Sequence, residues 1–104
     1  MAIPLVERII EDALKIVNDP NRWTQGADAK DAKGKPCRPF VRRAVRFCAR
    51  GALIRAAHDL GTVSHFALVA MRLGAPDLVC INDGPDGRRK AITLLKKALK
   101  SHRA

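Results

Sequence analysis

The chain has 104 residues, 47% of them hydrophobic, and its 20 basic and 10 acidic side chains give a formal net charge of +10. No apolar run reaches the roughly 20 residues that cross a bilayer, and the acidic residues near the start are atypical of a signal peptide. Three scattered cysteines indicate reduced thiols rather than a disulfide framework, so we expect a cytoplasmic protein without a membrane span.

The first predicted element is a helix over PLVERIIEDALKIVND, residues 4–19. Apolar residues recur along it at helical spacing, and charged residues occupy the opposite side. Pro4 suits a first helical turn, whereas Asn18, Asp19 and Pro20 together stop a helix. We therefore expect an amphipathic helix here.

Residues 21–39 lack a helical period and contain two glycines and two prolines. Within them D-A-K-G, from Asp31 to Gly34, has the residue types of a tight turn. A short two-stranded hairpin can flank this turn, with strands over about 24–29 and 35–38. This hairpin is one interpretation of the segment, and an irregular loop is the other.

Two further residues of this loop have predicted roles. Pro36 has no backbone N–H, so a strand that contains it belongs at the edge of a sheet. Trp23 is interpreted as the aromatic side chain that packs the loop against the helices, with a ligand platform as the alternative.

A long second helix is predicted over 40–60, where Gly61 ends it, and a third helix over about 62–73. The apolar run DLVCI, residues 77–81, is predicted to be a short extended connector. Three helices are therefore predicted before the last one.

The last helix is predicted to begin after Asp83, which has the position of an N-cap, with Pro85 in its first turn. Its apolar stripe consists of Ala91, Leu94, Leu95, Ala98 and Leu99. The fold expected for residues 1–104 is therefore a mainly α single domain of four helices, with the small hairpin between the first two.

Cys48 lies among arginines in the predicted second helix, which raises the question of a reactive thiol. At about 100° per residue its helical neighbours are small or apolar, and the arginines fall on the far side. These neighbours are Ala44, Val45, Gly51 and Ala52. We therefore interpret Cys48 as a buried structural residue, which serine would destabilise by about 1 kcal/mol. A thiol enzyme at Cys48 is a disfavoured third function.

Gly51 and Arg55 share the small-residue face of the same predicted helix. Glycine in a helix costs about 1 kcal/mol relative to alanine, so a close approach by another segment is expected at Gly51. An arginine on a buried face needs a partner, and Asp59, four residues on, is the first candidate.

The cysteines and histidines predict neither a metal site nor a cofactor, because no pair has the spacing of a structural zinc site. The candidates are Cys37, Cys48, Cys80, His58 and His65. A helix-turn-helix over 54–73 is disfavoured, because its second helix offers mostly apolar side chains where base contacts are required. No catalytic residue is predicted.

The positive charge is unevenly distributed along the sequence. Residues 1–36 carry six side chains of each sign, residues 37–59 carry six arginines against one aspartate, and residues 87–104 carry seven basic groups and no acidic one. The candidate binding residues are Arg42, Arg43, Arg46, Arg50, Arg88, Arg89, Lys96, Lys97 and Lys100. Clustered charge of this kind attracts polyanions, although it is also compatible with a solvated surface.

Two functions fit these patterns, and both leave the oligomeric state open. The leading hypothesis is a non-enzymatic accessory or protein-interaction module, whose basic surface could bind an acidic protein partner. The alternative is a nucleic-acid binder that contacts phosphates without reading sequence, with affinity that falls steeply as salt rises.

The segments W-T-Q-G (23–26), D-A-K-G (31–34), A-V-R-F-C-A-R-G-A-L (44–53) and I-N-D-G (81–84), in this order, resemble a family of small uncharacterised proteins of bacteria and their phages. The likeness spans about residues 5–99 and implies no activity, since that family has no assigned function. Its pattern falls on Trp23, Thr24, Gly34, Ala44, Phe47, Cys48, Gly51, Ala52, Asn82 and Asp83. The arginine-rich and lysine-rich segments lie outside the pattern, so the resemblance does not imply a nucleic-acid role.

Overall fold

Four α-helices and a small three-stranded antiparallel sheet make up the part of the chain, residues 5–62 and 75–103, that the computed structural model describes. In chain order the elements are α1 (Leu5–Asn18), a 3-10 turn (Pro20–Arg22), β1 (Ala29–Lys30), β2 (Pro36–Cys37), β3 (Arg46–Phe47), α2 (Ala49–Asp59), α3 (Ala75–Asp83) and α4 (Gly87–Arg103). The predicted mainly α architecture is confirmed. None of the helices in these ranges is long and apolar enough to cross a membrane.

Helix α1 runs from Leu5 to Asn18, inside the predicted range of 4–19, and has the amphipathic character that its sequence predicts. It buries Ile9, Ile10, Ala13, Ile16 and Val17 and packs against α2 and α4. An apolar stripe along one face is the usual means by which a helix packs against a hydrophobic core. α4 contributes the facing layer through a second stripe, which consists of Ala91, Leu95, Ala98 and Leu99.

The predicted hairpin is present, with two-residue strands and the turn where the sequence places it. Gly34 has φ +83 and donates its N–H to the Asp31 carbonyl at 3.0 Å. β1 pairs antiparallel with β2, and Pro36 lies in that outer strand, as its missing N–H requires. A third strand, β3, pairs with the other side of β1 and was not predicted.

The second helix begins at Ala49, so the prediction that it starts at Phe40 is wrong. The segment before it forms two successive turns, closed by hydrogen bonds from the Val41 N–H to the Arg38 carbonyl and from the Ala44 N–H to the Val41 carbonyl. The chain then runs beside β1. Pairing with a distant strand has overridden the local helical pattern here.

The run DLVCI is helical, not extended, because it lies within α3. Leu78 and Asn82 are four residues apart on that helix, and both are fully buried. A short apolar run does not by itself distinguish a buried strand from a buried helix, which is why the prediction failed.

The last helix begins at Gly87, so Asp83 is not its cap but the final residue of α3. Asp86 precedes α4 with φ +56, and its carbonyl accepts the Lys90 N–H at 3.1 Å. The predicted third helix and the helix-turn-helix interpretation fall mostly on residues 63–74, which lie outside the described ranges.

Candidate functional site

Cys48 stands at the start of α2 as its N-cap, rather than in the middle of a helix. Its Sγ accepts a hydrogen bond from the Gly51 N–H at 3.3 Å and donates one to Asp28 Oδ1 at 3.7 Å. The residue is 2% exposed. The sulfur therefore lies in the interior, but beside polar partners that the helical spacing did not predict.

Burial raises the pKa of the Cys48 thiol from 9.0 to about 11. The N–H donated by Gly51 opposes this rise, and the negative charge of Asp28 adds to it. The thiol is therefore protonated at neutral pH, whereas nucleophilic attack needs the thiolate. This environment does not support a thiol enzyme at Cys48.

Gly51 faces the backbone of Asp28, in the loop before β1. A Cβ added to Gly51 would lie 1.7 Å from the Asp28 carbonyl oxygen, which leaves no space for a methyl group. The same oxygen accepts the Cys48 N–H at 3.1 Å, and the Asp28 carboxylate lies 3.6 Å from Arg50 Nε. The close approach expected at this glycine is thus made by Asp28.

Asn82 is a buried polar hub that joins the loop after α1 to the start of α2. Its Oδ1 accepts the Trp23 indole N–H at 2.7 Å and the Ala49 backbone N–H at 3.0 Å. Its Nδ2 donates to the Thr24 carbonyl at 3.0 Å and to Asp83 Oδ1 at 3.1 Å. Every hydrogen-bonding group of this side chain is used, which is what a fully buried amide requires.

Two more contacts fasten the same loop to the end of α3. Gln25 Nε2 donates to the carbonyls of Asn82 and Gly84, at 3.0 and 3.1 Å. The Gly26 N–H donates to Asp83 Oδ1 at 3.1 Å. The W-T-Q-G and I-N-D-G segments, far apart in sequence, therefore bind each other and form a structural joint.

Exposed positive charge is concentrated in the segment of the chain that forms the three strands. Lys30 of β1 stands opposite Arg46 of β3, while their neighbours Ala29 and Phe47 are buried. Between Ala29 and Phe47 the sequence has seven basic residues and one acidic residue. We call the seven the basic sheet surface: Lys30, Lys33, Lys35, Arg38, Arg42, Arg43 and Arg46. All are exposed except Lys30, which is half-buried.

The acidic residue among them, Asp31, is engaged by the backbone of its own turn. Its Oδ1 accepts the N–H groups of Lys33 and Lys35, at 2.9 and 3.0 Å. The Lys35 N–H most of all, then the Lys33 N–H and the charges of Lys35 and Arg43, hold the pKa of this carboxyl below its ordinary value. An open groove of about 440 Å³ beside it is lined by Asp31, Ala32, Lys33, Lys35, Arg43 and Val45.

The predicted arginine stripe is therefore not a helix face. Arg42 and Arg43 lie in the second of the two turns before β3, Arg46 lies in β3, and Arg50 lies in the first turn of α2. Arg50 is also the one of the four that pairs with a carboxylate in the described residues, that of Asp28. The first three share the basic sheet surface, and Arg50 stands beside the Cys48 cap.

The basic residues of α4 divide into two kinds. Arg88 Nη1 donates to the carbonyls of Val17 and Asn18 and so caps the C-terminal end of α1. Arg89 binds the Asp86 carboxylate. Lys96, Lys97 and Lys100 are exposed. α4 packs chiefly on α1 and α3, whereas β3 packs on α2 and the 3-10 turn, so these lysines lie on a different element from the basic sheet surface.

Arg55 holds the loop between β2 and β3 in place. Its Nη1 donates to the carbonyls of Pro39 and Val41, at 3.2 and 3.1 Å, and its Nε binds the expected partner Asp59 at 3.1 Å. Its guanidinium carbon also lies 5.7 Å from the centroid of the buried Phe47 ring. The loop that carries three arginines of the basic sheet surface is therefore anchored to α2 by a fourth.

Comparison with known proteins identifies the class of this chain. It matches a family of unknown function, DUF6197, over residues 1–102, and the chain belongs to that family. No curated protein and no solved structure matches it. Among residues 5–62 and 78–100, whose side chains the structure describes, no three His, Cys, Asp or Glu side chains are placed to hold a metal ion.

The sequence pattern missed the lysines of the hairpin and Arg38, all of which belong to the basic sheet surface. Lys30, Lys33 and Lys35 were counted in a segment of zero net charge. The available signal was their closeness to the D-A-K-G turn, since a hairpin brings the residues on either side of its turn near one another.

Proposed function

We propose that this protein is a non-enzymatic binding protein that holds nucleic acid on its basic sheet surface without reading the base sequence. The observation that carries this proposal is the in-register pair of Lys30 and Arg46 on adjacent strands. Like charges directly opposite one another destabilise a sheet. A polyanion laid across the strands would remove that repulsion.

The surrounding charges support the same interpretation. Lys33, Lys35 and Arg43 line a groove in which the single carboxylate, that of Asp31, already accepts two backbone N–H groups. Long, exposed Lys and Arg side chains suit phosphate contacts, which position a nucleic acid but carry no sequence information.

Fluorescence anisotropy with random-sequence DNA and RNA at about 50 to about 200 mM salt tests the proposal. The double variant Lys30→Gln/Arg46→Gln removes two charges from the basic sheet surface. Lys96→Gln/Lys97→Gln removes two exposed charges from α4 and is its matched control. We expect the salt slope to fall by about two in the sheet variant and to stay unchanged in the control.

Two outcomes would overturn the proposal. One is the absence of binding by the wild-type protein at about 50 mM salt. The other is an equal loss of affinity in both double variants, because binding would then depend on net charge and not on the sheet. Binding of an acidic protein in preference to nucleic acid would favour the protein-interaction hypothesis. Trp23 emission and circular dichroism verify that each variant is folded.

A further inference from the structure

Phe40 is an aromatic side chain that the fold leaves in solvent. It is 43% exposed, whereas Trp23 is half-buried and Phe47 is 2% exposed, so it is the most exposed aromatic residue of the described ranges. It occupies the third position of the turn from Arg38 to Val41. Packing in the core does not account for this residue.

The ring of Phe40 is surrounded by groups that suit a nucleotide. The guanidinium carbon of Arg38 lies 5.9 Å from the ring centroid, and the His58 ring centroid lies 5.8 Å away at an interplanar angle of 39°. Arg42 and Arg43 follow in the next turn, within about 11 Å of chain length. An exposed ring beside several arginines is the arrangement that single-strand binding sites use.

The backbone on either side of the ring is fixed. Arg55 donates to the carbonyls of both flanking residues, Pro39 and Val41. Arg55 is itself held by Asp59 and packs over the buried Phe47 ring. A platform held in this way loses little conformational freedom when it binds, which favours affinity.

We infer that Phe40 stacks against an unpaired base while the neighbouring arginines contact phosphates, so that the protein prefers single-stranded nucleic acid to duplex. The inference rests on the proposed function and adds the class of nucleic acid to it. Bases in a duplex are stacked on one another and do not present a free face to an external ring. Because every base has such a face, stacking adds affinity without sequence preference.

The test compares a labelled random single strand with the same strand in a duplex, at one salt concentration. We expect the wild type to bind the single strand more tightly, and Phe40→Ala to weaken that binding by about tenfold with no effect on the duplex. Phe40→Trp restores the single-strand affinity. The matched control is Leu5→Ala, which truncates another exposed apolar side chain, 36% exposed, on α1 and is expected to change neither affinity.

The salt slope separates this inference from the function on which it rests. Phe40→Ala removes no charge, so its slope stays that of the wild type. Equal wild-type affinity for both forms, or a Phe40→Ala variant as tight as wild type on the single strand, overturns the stacking inference alone. An equal loss of affinity for the single strand and for the duplex in Phe40→Ala also overturns the stacking inference. Failure of the wild type to bind either form overturns both proposals.

Discussion

The indole of Trp23 and the side-chain amide of Asn82 meet at 2.7 Å across 59 positions of sequence. The same amide oxygen accepts the first backbone N–H of α2, that of Ala49. One buried side chain thus fixes the loop after α1, the start of α2 and the end of α3 relative to one another. Trp23 belongs to the W-T-Q-G segment and Asn82 to the I-N-D-G segment, so this hydrogen bond joins two segments that are far apart in the sequence.

Replacing Asn82 by alanine is expected to lower the free energy of unfolding by about 3 kcal/mol, because the Trp23 and Ala49 N–H groups and the Thr24 carbonyl lose their partner. Trp23→Phe removes one of these bonds and part of a half-buried ring, and should cost less, about 1 to about 2 kcal/mol. Urea denaturation followed by circular dichroism measures both. A loss for Asn82→Ala no larger than that for Trp23→Phe would contradict the role of the hub.

Gly51→Ala is expected to destabilise the protein by about 2 kcal/mol or more, because the new methyl group would overlap the Asp28 carbonyl oxygen. The sign of the change is the test. In an ordinary helix the same substitution is stabilising, by about 1 kcal/mol. A variant that unfolds at higher urea than the wild type would show that Asp28 does not pack against this glycine.

At Cys48 the relative stability of the serine and alanine variants is informative. Serine is a favoured N-cap, and its hydroxyl can take over the contacts with the Gly51 N–H and Asp28, whereas alanine abolishes the cap at a cost of about 1 kcal/mol. Cys48→Ser should therefore be more stable than Cys48→Ala. The apolar surroundings expected from helical spacing would give the opposite order, so thermal or urea unfolding of the pair decides between the two environments.

The same thiol makes stability depend on pH in the alkaline range. Its folded pKa of about 11 lies above the ordinary 9.0, so its contribution is complete below pH 9.0 and is lost as the pH rises through about 11. The loss amounts to about 3 kcal/mol. Comparing wild type with Cys48→Ala across this range removes the effect of the lysines, and the gap between them should narrow with rising pH. A constant gap would show that the thiol titrates normally.

The elements set by local chemistry were predictable. Helix α1 follows from its apolar spacing, and the turn from Asp31 to Gly34 follows from residue types that form it with their own backbone. Pro36 indicated the sheet edge because a missing N–H is a property of the residue itself. In each case the decisive interaction joins residues only a few positions apart.

The start of α2 could not be read in this way, because long-range contacts decide it. The N–H groups of Val45 and Cys48 donate to the carbonyls of Lys30 and Asp28, at 3.0 and 3.1 Å. These bonds draw the preceding segment into the sheet, and a cysteine is not among the usual N-caps. As a result, Arg42 and Arg43 lie in a turn, Arg46 lies in β3, and Arg50 lies in the first turn of α2.

The basic sheet surface was hidden by counting charges along the sequence. The acids that balance the hairpin lysines within residues 1–36 include Glu7, Glu11 and Asp12, and these lie on α1. Folding separates the two signs, so a neutral segment contributes to a strongly basic surface. The helical pattern likewise predicts Phe40 within a helix, whereas the turn from Arg38 to Val41 leaves its ring exposed.

The position of the hub has a consequence for biosynthesis. On the ribosome, the loop that contains Trp23 is synthesised well before Asn82, whose side chain holds that loop in place. Until residue 82 emerges, the indole N–H and the first amide of α2 must remain bonded to water. The residues made before it can collapse, but their arrangement becomes fixed only when this later segment arrives.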